Sequence, residues 1–217
     1  MRLRKVKHAP ELLSSFPECV VKDPENHLGR WVERFPNRYQ SIHLEIGCGK
    51  GMFITRMAKR LPGVGFIAIE KFDSVLVRVL EKLISEPLQN LLLVHADAEA
   101  IPEMFAKGEI TTLYLNFSDP WPKRRQAKKR LTNPRFLDKY AEILTDGGVI
   151  RLKTDNFGFF LYSLQSFNDH DSFKIVRHSL DLKNCDLDNV TTEFEERFSA
   201  LGKPIFYLEV INRRSLS

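Results

Sequence analysis

The sequence predicts an α/β fold built on a mostly parallel seven-stranded sheet with the last strand antiparallel, and three observations carry that prediction. Seven short runs rich in β-branched and aromatic residues recur along the chain, and a helical stretch follows each of the first five. The chain then closes on a strand, helix, strand unit returning through a short loop at Lys203-Pro204. Strands that alternate with helices pair in parallel with both faces covered, whereas a short return favours an antiparallel final strand. In order, Asp23-Pro24 pairs an N-cap with a proline at the first helical position and predicts a helix to about Phe35. Strands are expected over residues 42–46, 66–70, 91–95, 112–117 and 149–153, with helices over 52–60, 73–85 and near Pro102. Val75, Leu76, Val79, Leu80 and Leu83 recur at helical spacing and mark the buried face of the second of these helices. Asn133 and Pro134 open a helix to about Leu144, after which Asp146-Gly147-Gly148 is expected to turn the chain. A further helix, a strand near 173–178, a helix near 193–201 and a last strand over 205–211 complete the chain.

With 217 residues, 43% of them hydrophobic, a single domain spanning residues 1–217 can bury a sufficient core without disulfides or metals. Cys19, Cys48 and Cys185 are odd in number and lack CxxC spacing, which argues against a disulfide framework and a zinc site and implies a reducing, cytoplasmic setting. Met1 to His8 is basic, but no apolar run follows it as a signal peptide requires. No stretch of about 18 apolar residues is present to span a membrane.

The net charge of +5 is unevenly distributed. Arg2, Arg4, Lys5 and Lys7 form one acid-free segment, and residues 123–135 form another with seven basic side chains. With those eleven set aside, the rest of the chain carries 22 basic against 28 acidic residues. Positive charge concentrated on an acidic body suits a polyanion-binding edge beside an acidic pocket, although a single basic run also fits a solvated loop.

After the first strand stands Glu45-Ile-Gly47-Cys-Gly49-Lys-Gly51. Glycines at alternate positions permit positive φ and let a ligand approach the backbone, although tight strand-to-helix turns use glycine for steric reasons too. A dinucleotide fingerprint is GxGxxG with pyrophosphate at the helix N-terminus. Here the pattern is GxGxG preceded by the carboxylate of Glu45, which would repel a pyrophosphate and suits the sulfonium and ammonium of S-adenosylmethionine. Glu70, 19 residues beyond Gly51 at the end of the second strand, is placed to accept from ribose hydroxyls. Asp97 follows the third strand and could fix the adenine or simply cap a helix. Ligands in open α/β sheets sit at the carboxyl ends of strands, so Glu45, Glu70, Asp97 and Asp119 are expected to converge on one crevice.

The fourth strand ends in Asn116-Phe-Ser-Asp119-Pro120-Trp121-Pro122-Lys123 and runs into the basic segment. With the Glu45 to Gly51 loop, Lys153-Thr154-Asp155, and Thr192-Glu-Phe-Glu195 before Phe198-Ser-Ala-Leu-Gly202, it makes nearly the whole chain resemble the bacterial tRNA (guanine-N7)-methyltransferases, often called TrmB. The resemblance implies a Rossmann-like class I S-adenosylmethionine-dependent methyltransferase fold and methylation of N7 of the guanine at position 46 in the tRNA variable loop. Carried over by motif, Glu45, Gly47, Gly49, Gly51, Glu70, Asp97 and Asp119 would hold the cofactor, with Asp119 also the catalytic carboxylate. Lys123, Asp155, Thr192 and Glu195 would contact the substrate, and Arg124, Arg125, Lys128, Lys129 and Arg130 would engage tRNA. The protein would act as a monomer or homodimer, without a metal. Ser118 stands where many members have proline and Gln126 where many have histidine, so no proton-handling role is transferred to position 126.

The residue types agree with that chemistry. Guanine N7 carries an in-plane lone pair and no proton, so attack on a sulfonium methyl needs no general base, and positioning can supply roughly 7–11 kcal/mol. A carboxylate facing guanine's N1–H and N2–H₂ edge would stabilise the charge that develops and would reject adenine. Trp121 either stacks on an extruded base or anchors the loop in the core.

Amino-group methyltransferases acting on adenine or cytosine place two prolines before their aromatic residue, whereas here the order is Asp-Pro-Trp-Pro. Cytosine-C5 enzymes need a cysteine nucleophile near the fourth or fifth strand, and this chain has none there. A non-catalytic RNA-binding module would not need four pocket carboxylates, and a nicotinamide dehydrogenase would carry the other glycine pattern.

Overall fold

The computed structural model describes residues 6–213, and its chain divides into two compact units, residues 1–106 and 107–217. Arg2, Arg4 and Lys5 of the basic N-terminal arm lie outside the described residues.

The first unit runs α1 (Ala9–Ser14), β1 (Val20–Val21), a 3-10 helix (Pro24–His27), α2 (Trp31–Arg34), β2 (Ile42–Ile46), α3 (Met52–Arg60), β3 (Gly65–Glu70), α4 (Asp73–Ser85), β4 (Leu91–His95) and α5 (Ile101–Met104). Its strands lie in the order β1-β4-β3-β2, and every pairing among them is parallel. All six residues of β3 are buried and β4 is buried up to His95, the continuous apolar pattern of strands covered on both faces. Val75, Leu76, Val79, Leu80 and Leu83 of α4 are buried as their spacing predicts. Asn90, 6% exposed, donates through Nδ2 to the carbonyls of Ala58, Leu61 and Val64, so one amide closes the end of α3 and the loop after it.

Two departures from expectation fall in this unit. The helix predicted from Pro24 to Phe35 is broken into the 3-10 turn and α2, because Gly29 adopts a left-handed φ of 74° that ends a helix. The Asp23 side chain makes no capping bond there. Trp31 opens α2 instead, fully buried, with Nε1 donating to Met104 O at 2.7 Å. Strand β1 was not predicted. Two residues are too short to show periodicity, and the pairing is visible only as Val20 against Leu93 and Val21 against Val94.

The second unit runs β5 (Ile110–Asn116), a 3-10 helix (Arg124–Lys129), α6 (Pro134–Ile143), β6 (Leu144–Thr154), α7 (Phe157–Asn168), β7 (Phe173–Ser179), a 3-10 turn (Leu182–Asn184), α8 (Glu193–Ala200) and β8 (Phe206–Asn212). The order is β5-β6-β8-β7, with β5 and β6 parallel and β8 antiparallel to both of its neighbours, as the short return at Lys203-Pro204 predicts. Asn133 caps α6 as expected, accepting from Arg135 N. Asp146-Gly147-Gly148 is not a turn between elements but a bulge inside β6. The register passes from Ile110 opposite Leu144 to Thr112 opposite Val149, and Gly147 takes φ 70°. A side chain at Gly148 would put Cβ 2.9 Å from Thr145 O, so this corner admits only glycine without a shift.

Candidate active site

In the first unit, β2, β3 and β4 are adjacent and parallel, which brings Glu45, Glu70 and Asp97 to one edge of the sheet. Glu45 is 2% and Glu70 7% exposed. The amides of Gly47 and Cys48 donate to Ile69 O at 2.8 and 3.1 Å, which folds the glycine turn over the end of β3. Gly47, Gly49 and Gly51 all take positive φ, at 74°, 57° and 75°. They differ in why glycine is needed. A Cβ on Gly51 would lie 2.6 Å from Val79 Cγ1, so that residue packs the turn against α4, whereas Cβ atoms on Gly47 and Gly49 would meet nothing within 4 Å.

Glu70 ties this turn to the next. Its Oε2 accepts from Gly49 N at 3.0 Å and its Oε1 from Phe72 N at 3.1 Å. A carboxylate has about four acceptor sites, so two remain for a ligand's hydroxyls. Asp97 caps a 3-10 helix, Ala98–Ala100, by accepting from Glu99 N at 3.1 Å, and also meets Lys71 Nζ at 2.5 Å. Both side chains of that pair are well exposed, so it adds little stability, although its hydrogen bond to Asp97 raises the Lys71 pKa. Lys71 was not singled out from sequence, where nothing links it to a residue 26 positions on. Open space over a left-handed glycine turn, beside two nearly buried carboxylates, fits a cationic ligand with hydroxyls and disfavours a pyrophosphate.

In the second unit the segment after β5 is strained. Phe117 and Trp121 are non-glycine residues at φ 51° and 41°, and Phe117 N still donates to Lys153 O at 2.8 Å. Backbone held in such regions persists only where surrounding contacts over-determine it. Arg130 supplies those contacts: its Nε and NH2 donate to Pro120 O and Trp121 O, each at 3.0 Å, and its guanidinium lies 4.2 Å over the Tyr162 ring. Arg130, expected among the tRNA-binding cations, gives two of its five N–H donors to this loop. Trp121 is half-buried with Lys129 Nζ 4.8 Å from its ring centre, so it does not anchor the core. Asp119 is exposed and, among the described residues, makes no hydrogen bond or ion pair, while Ser118 Oγ beside it is buried without a hydrogen-bond partner. Lys123, Arg124, Arg125, Lys128 and Lys129 are all exposed.

The remaining predicted residues gather around the end of β6. Asp155 follows that strand and is half-buried. Thr192 and Glu195 are each 5% exposed, and Thr192 Oγ1 accepts from Glu195 N at 2.9 Å as the N-cap of α8. Glu195 Oε2 lies 2.9 Å from Lys153 Nζ, a partner 42 residues away that the sequence did not reveal. The rings of Phe117 and Phe194 stack at 5.8 Å, joining the Asp119 loop to the first turn of α8. The segments that carry Asp119, Asp155, Thr192 and Glu195 are thus tied to one another through Phe117 on Phe194 and Lys153 on Glu195.

Among the described residues, no group of three or more His, Cys, Asp or Glu side chains is arranged to hold a metal ion, and Cys19, Cys48 and Cys185 form no disulfide. Burial pushes the Cys19 thiol up to about 11, which suppresses its thiolate near neutral pH. No helix among the described residues is long and apolar enough to cross a membrane.

A family described as "Putative methyltransferase" matches residues 39–208. The tRNA (guanine-N(7)-)-methyltransferase of Geobacillus sp. (strain WCH70) is 50% identical over 97% of this chain and 95% of its own length. The protein of the same name from Listeria welshimeri serovar 6b is 49% identical over 94% and 97%. Among solved structures, an antibiotic-related methyltransferase superposes with a TM-score of 0.61 at 20% identity, covering 87% of this chain and 94% of that one. The 16S rRNA methyltransferase KamB superposes with a TM-score of 0.63 at 17% identity, covering 85% and 93%. At those identities the superpositions establish a shared methyltransferase fold.

Proposed function

The chain belongs to the tRNA (guanine-N7)-methyltransferase family, and from that premise we propose that it methylates N7 of the guanine at position 46 in the tRNA variable loop. Residues 1–217 work as one methyltransferase domain, in the cytoplasm, as a monomer or homodimer. S-adenosylmethionine supplies the methyl group, carried on a sulfonium whose positive charge is lost on transfer. The observation that carries this reading is the glycine turn, in which left-handed Gly47 and Gly49 leave open space beside two nearly buried carboxylates.

Glu45 faces the donor's positive charge, Glu70 accepts from the ribose hydroxyls with the lone pairs its two backbone donors leave over, and Asp97 orients the adenine. Gly47 and Gly49 admit the donor close to the backbone, and Gly51 fixes the turn on α4. Asp119, which makes no hydrogen bond or ion pair among the described residues, contacts the donor and stabilises charge arriving on the purine. Glu195 and Asp155 accept from the guanine N1–H and N2–H₂ edge. Thr192 still has its O–H to donate, because its oxygen takes the Glu195 amide. Lys123, at the head of the basic helix, adds a cation to the substrate side. No residue has to remove a proton, since N7 has none.

Incubating the protein with unmodified tRNA and a methyl-labelled donor, then mapping the label, tests this reading. Label on guanine 46, lost when that base is adenine, is the expected outcome; label retained on the adenine-46 tRNA contradicts it.

Arg124, Arg125, Lys128 and Lys129 grip the phosphate backbone. Each phosphate neutralised contributes roughly 0.7–0.9 to the slope of log affinity against log salt. Replacing Arg124, Arg125 and Lys128 by alanine is therefore expected to flatten that slope by about 2–3 units in filter-binding titrations. Arg130→Ala is expected to leave the slope nearly unchanged while lowering kcat, because its bonds go to Pro120 O and Trp121 O.

A further inference from the structure

Lys153 lies one residue before the end of β6, and its side chain is 6% exposed. Three acceptors surround its ammonium: Glu195 Oε2 at 2.9 Å, Val190 O at 2.8 Å and Asn189 Oδ1. An ammonium has three N–H donors, so none is left over for a substrate. Asn189 Nδ2 donates to Glu195 Oε1, so each oxygen of that carboxylate accepts one bond from the protein, and Thr192 holds its backbone amide. The carboxylate is thereby fixed at both ends while each oxygen keeps a second lone pair.

Removing a lysine and a glutamate from water is costly, and such a pair is weak evidence for stability on its own; its best-attested use is to fix one arrangement among alternatives. Here the pair fixes where the acceptor lone pairs of Glu195 point. We propose that Lys153 is a positioning residue that sets the guanine specificity of the site by holding Glu195 so that its free lone pairs meet the N1–H and N2–H₂ donors of the base. The proposal rests on reading Glu195 as a guanine contact, and it assigns Lys153 no contact with donor or acceptor.

A specificity ratio separates this role from a merely structural one, because loss of folded protein lowers activity on two substrates equally. The experiment compares kcat/KM for tRNA bearing guanosine or inosine at position 46; inosine lacks the 2-amino group and keeps N7. Wild type is expected to favour guanosine by about 10-fold or more, the effect of one hydrogen bond to a charged group. Glu195→Gln tests the underlying reading and is expected to bring the ratio close to one. Lys153→Met is expected to lower the ratio at least several-fold. Asn189→Ala loosens the same carboxylate without leaving a buried charge unpaired, and is expected to lower the ratio by a smaller factor. If the ratio collapses in Glu195→Gln but is unchanged in Lys153→Met, or in Asn189→Ala where the Lys153 variant does not fold, the positioning role is overturned. A wild-type ratio in Glu195→Gln overturns the reading of Glu195 itself.

Discussion

Asp119→Ala is expected to lower kcat about 10²–10³-fold, the usual cost of removing one preorganised electrostatic group from a reacting centre. The same variant should leave the unfolding transition nearly in place, since exposed substitutions away from special features change stability by about 0.5 kcal/mol or less. Both expectations come from the geometry. Asp119 is exposed and unpartnered among the described residues, so no native interaction is lost with its carboxylate. The loop that presents it is held independently, by Arg130 on Pro120 O and Trp121 O. Catalysis suffers because the purine becomes cationic as the methyl arrives and the carboxylate that balances that charge beside the donor is gone. Asp119→Asn should recover part of the substrate affinity and little of kcat, since an amide keeps an acceptor but not the charge. A folded alanine variant turning over near the wild-type rate would remove Asp119 from the chemistry.

Glu70→Ala is expected to have the larger effect on donor affinity. Two backbone donors, Gly49 N and Phe72 N, are satisfied by its two carboxylate oxygens, so the side chain both shapes the glycine turn and offers lone pairs to a ribose. A hydrogen bond to a charged group contributes about 1.5–3 kcal/mol, and losing two to the ribose would weaken S-adenosylmethionine binding by about 10² or more. Titration calorimetry measures this directly. Thermal denaturation gives the companion result: the stabilisation that saturating donor confers on the wild type should be largely absent. Unchanged affinity would leave Glu70 as a structural tie alone.

Local signals carried most of the fold. The apolar runs of β3 and β4, the helical spacing on α4 and the Asn133-Pro134 start of α6 each record a short-range requirement, and each reads correctly from neighbouring residues. The glycine turn was legible for the same reason, since alternate glycines after a strand announce positive φ. What failed was decided partly by one residue inside the predicted helix and otherwise elsewhere in the chain. Gly29 breaks a helix that Asp23-Pro24 starts, and Gly147 lies in a bulge defined by its partner strand rather than in a turn. Arg130 sits in an acid-free basic segment, and only the fold turns it onto carbonyls nine and ten residues back. The link between Lys153 and Glu195 spans 42 residues and leaves no pattern in the sequence. Thr192 and Glu195 were identified by resemblance, yet their geometry shows that the helix cap and the ion pair orient them first.

The measurement that bears most directly on the acceptor atom uses tRNA in which guanosine 46 is replaced by 7-deazaguanosine. That base keeps the N1–H, N2–H₂ and O6 edge and lacks only the N7 lone pair. The predicted result is tRNA binding within about threefold of the unmodified tRNA, with no detectable methyl transfer. Transfer to the deaza tRNA at a rate near that of the guanosine substrate would place the methyl on another atom and contradict the account.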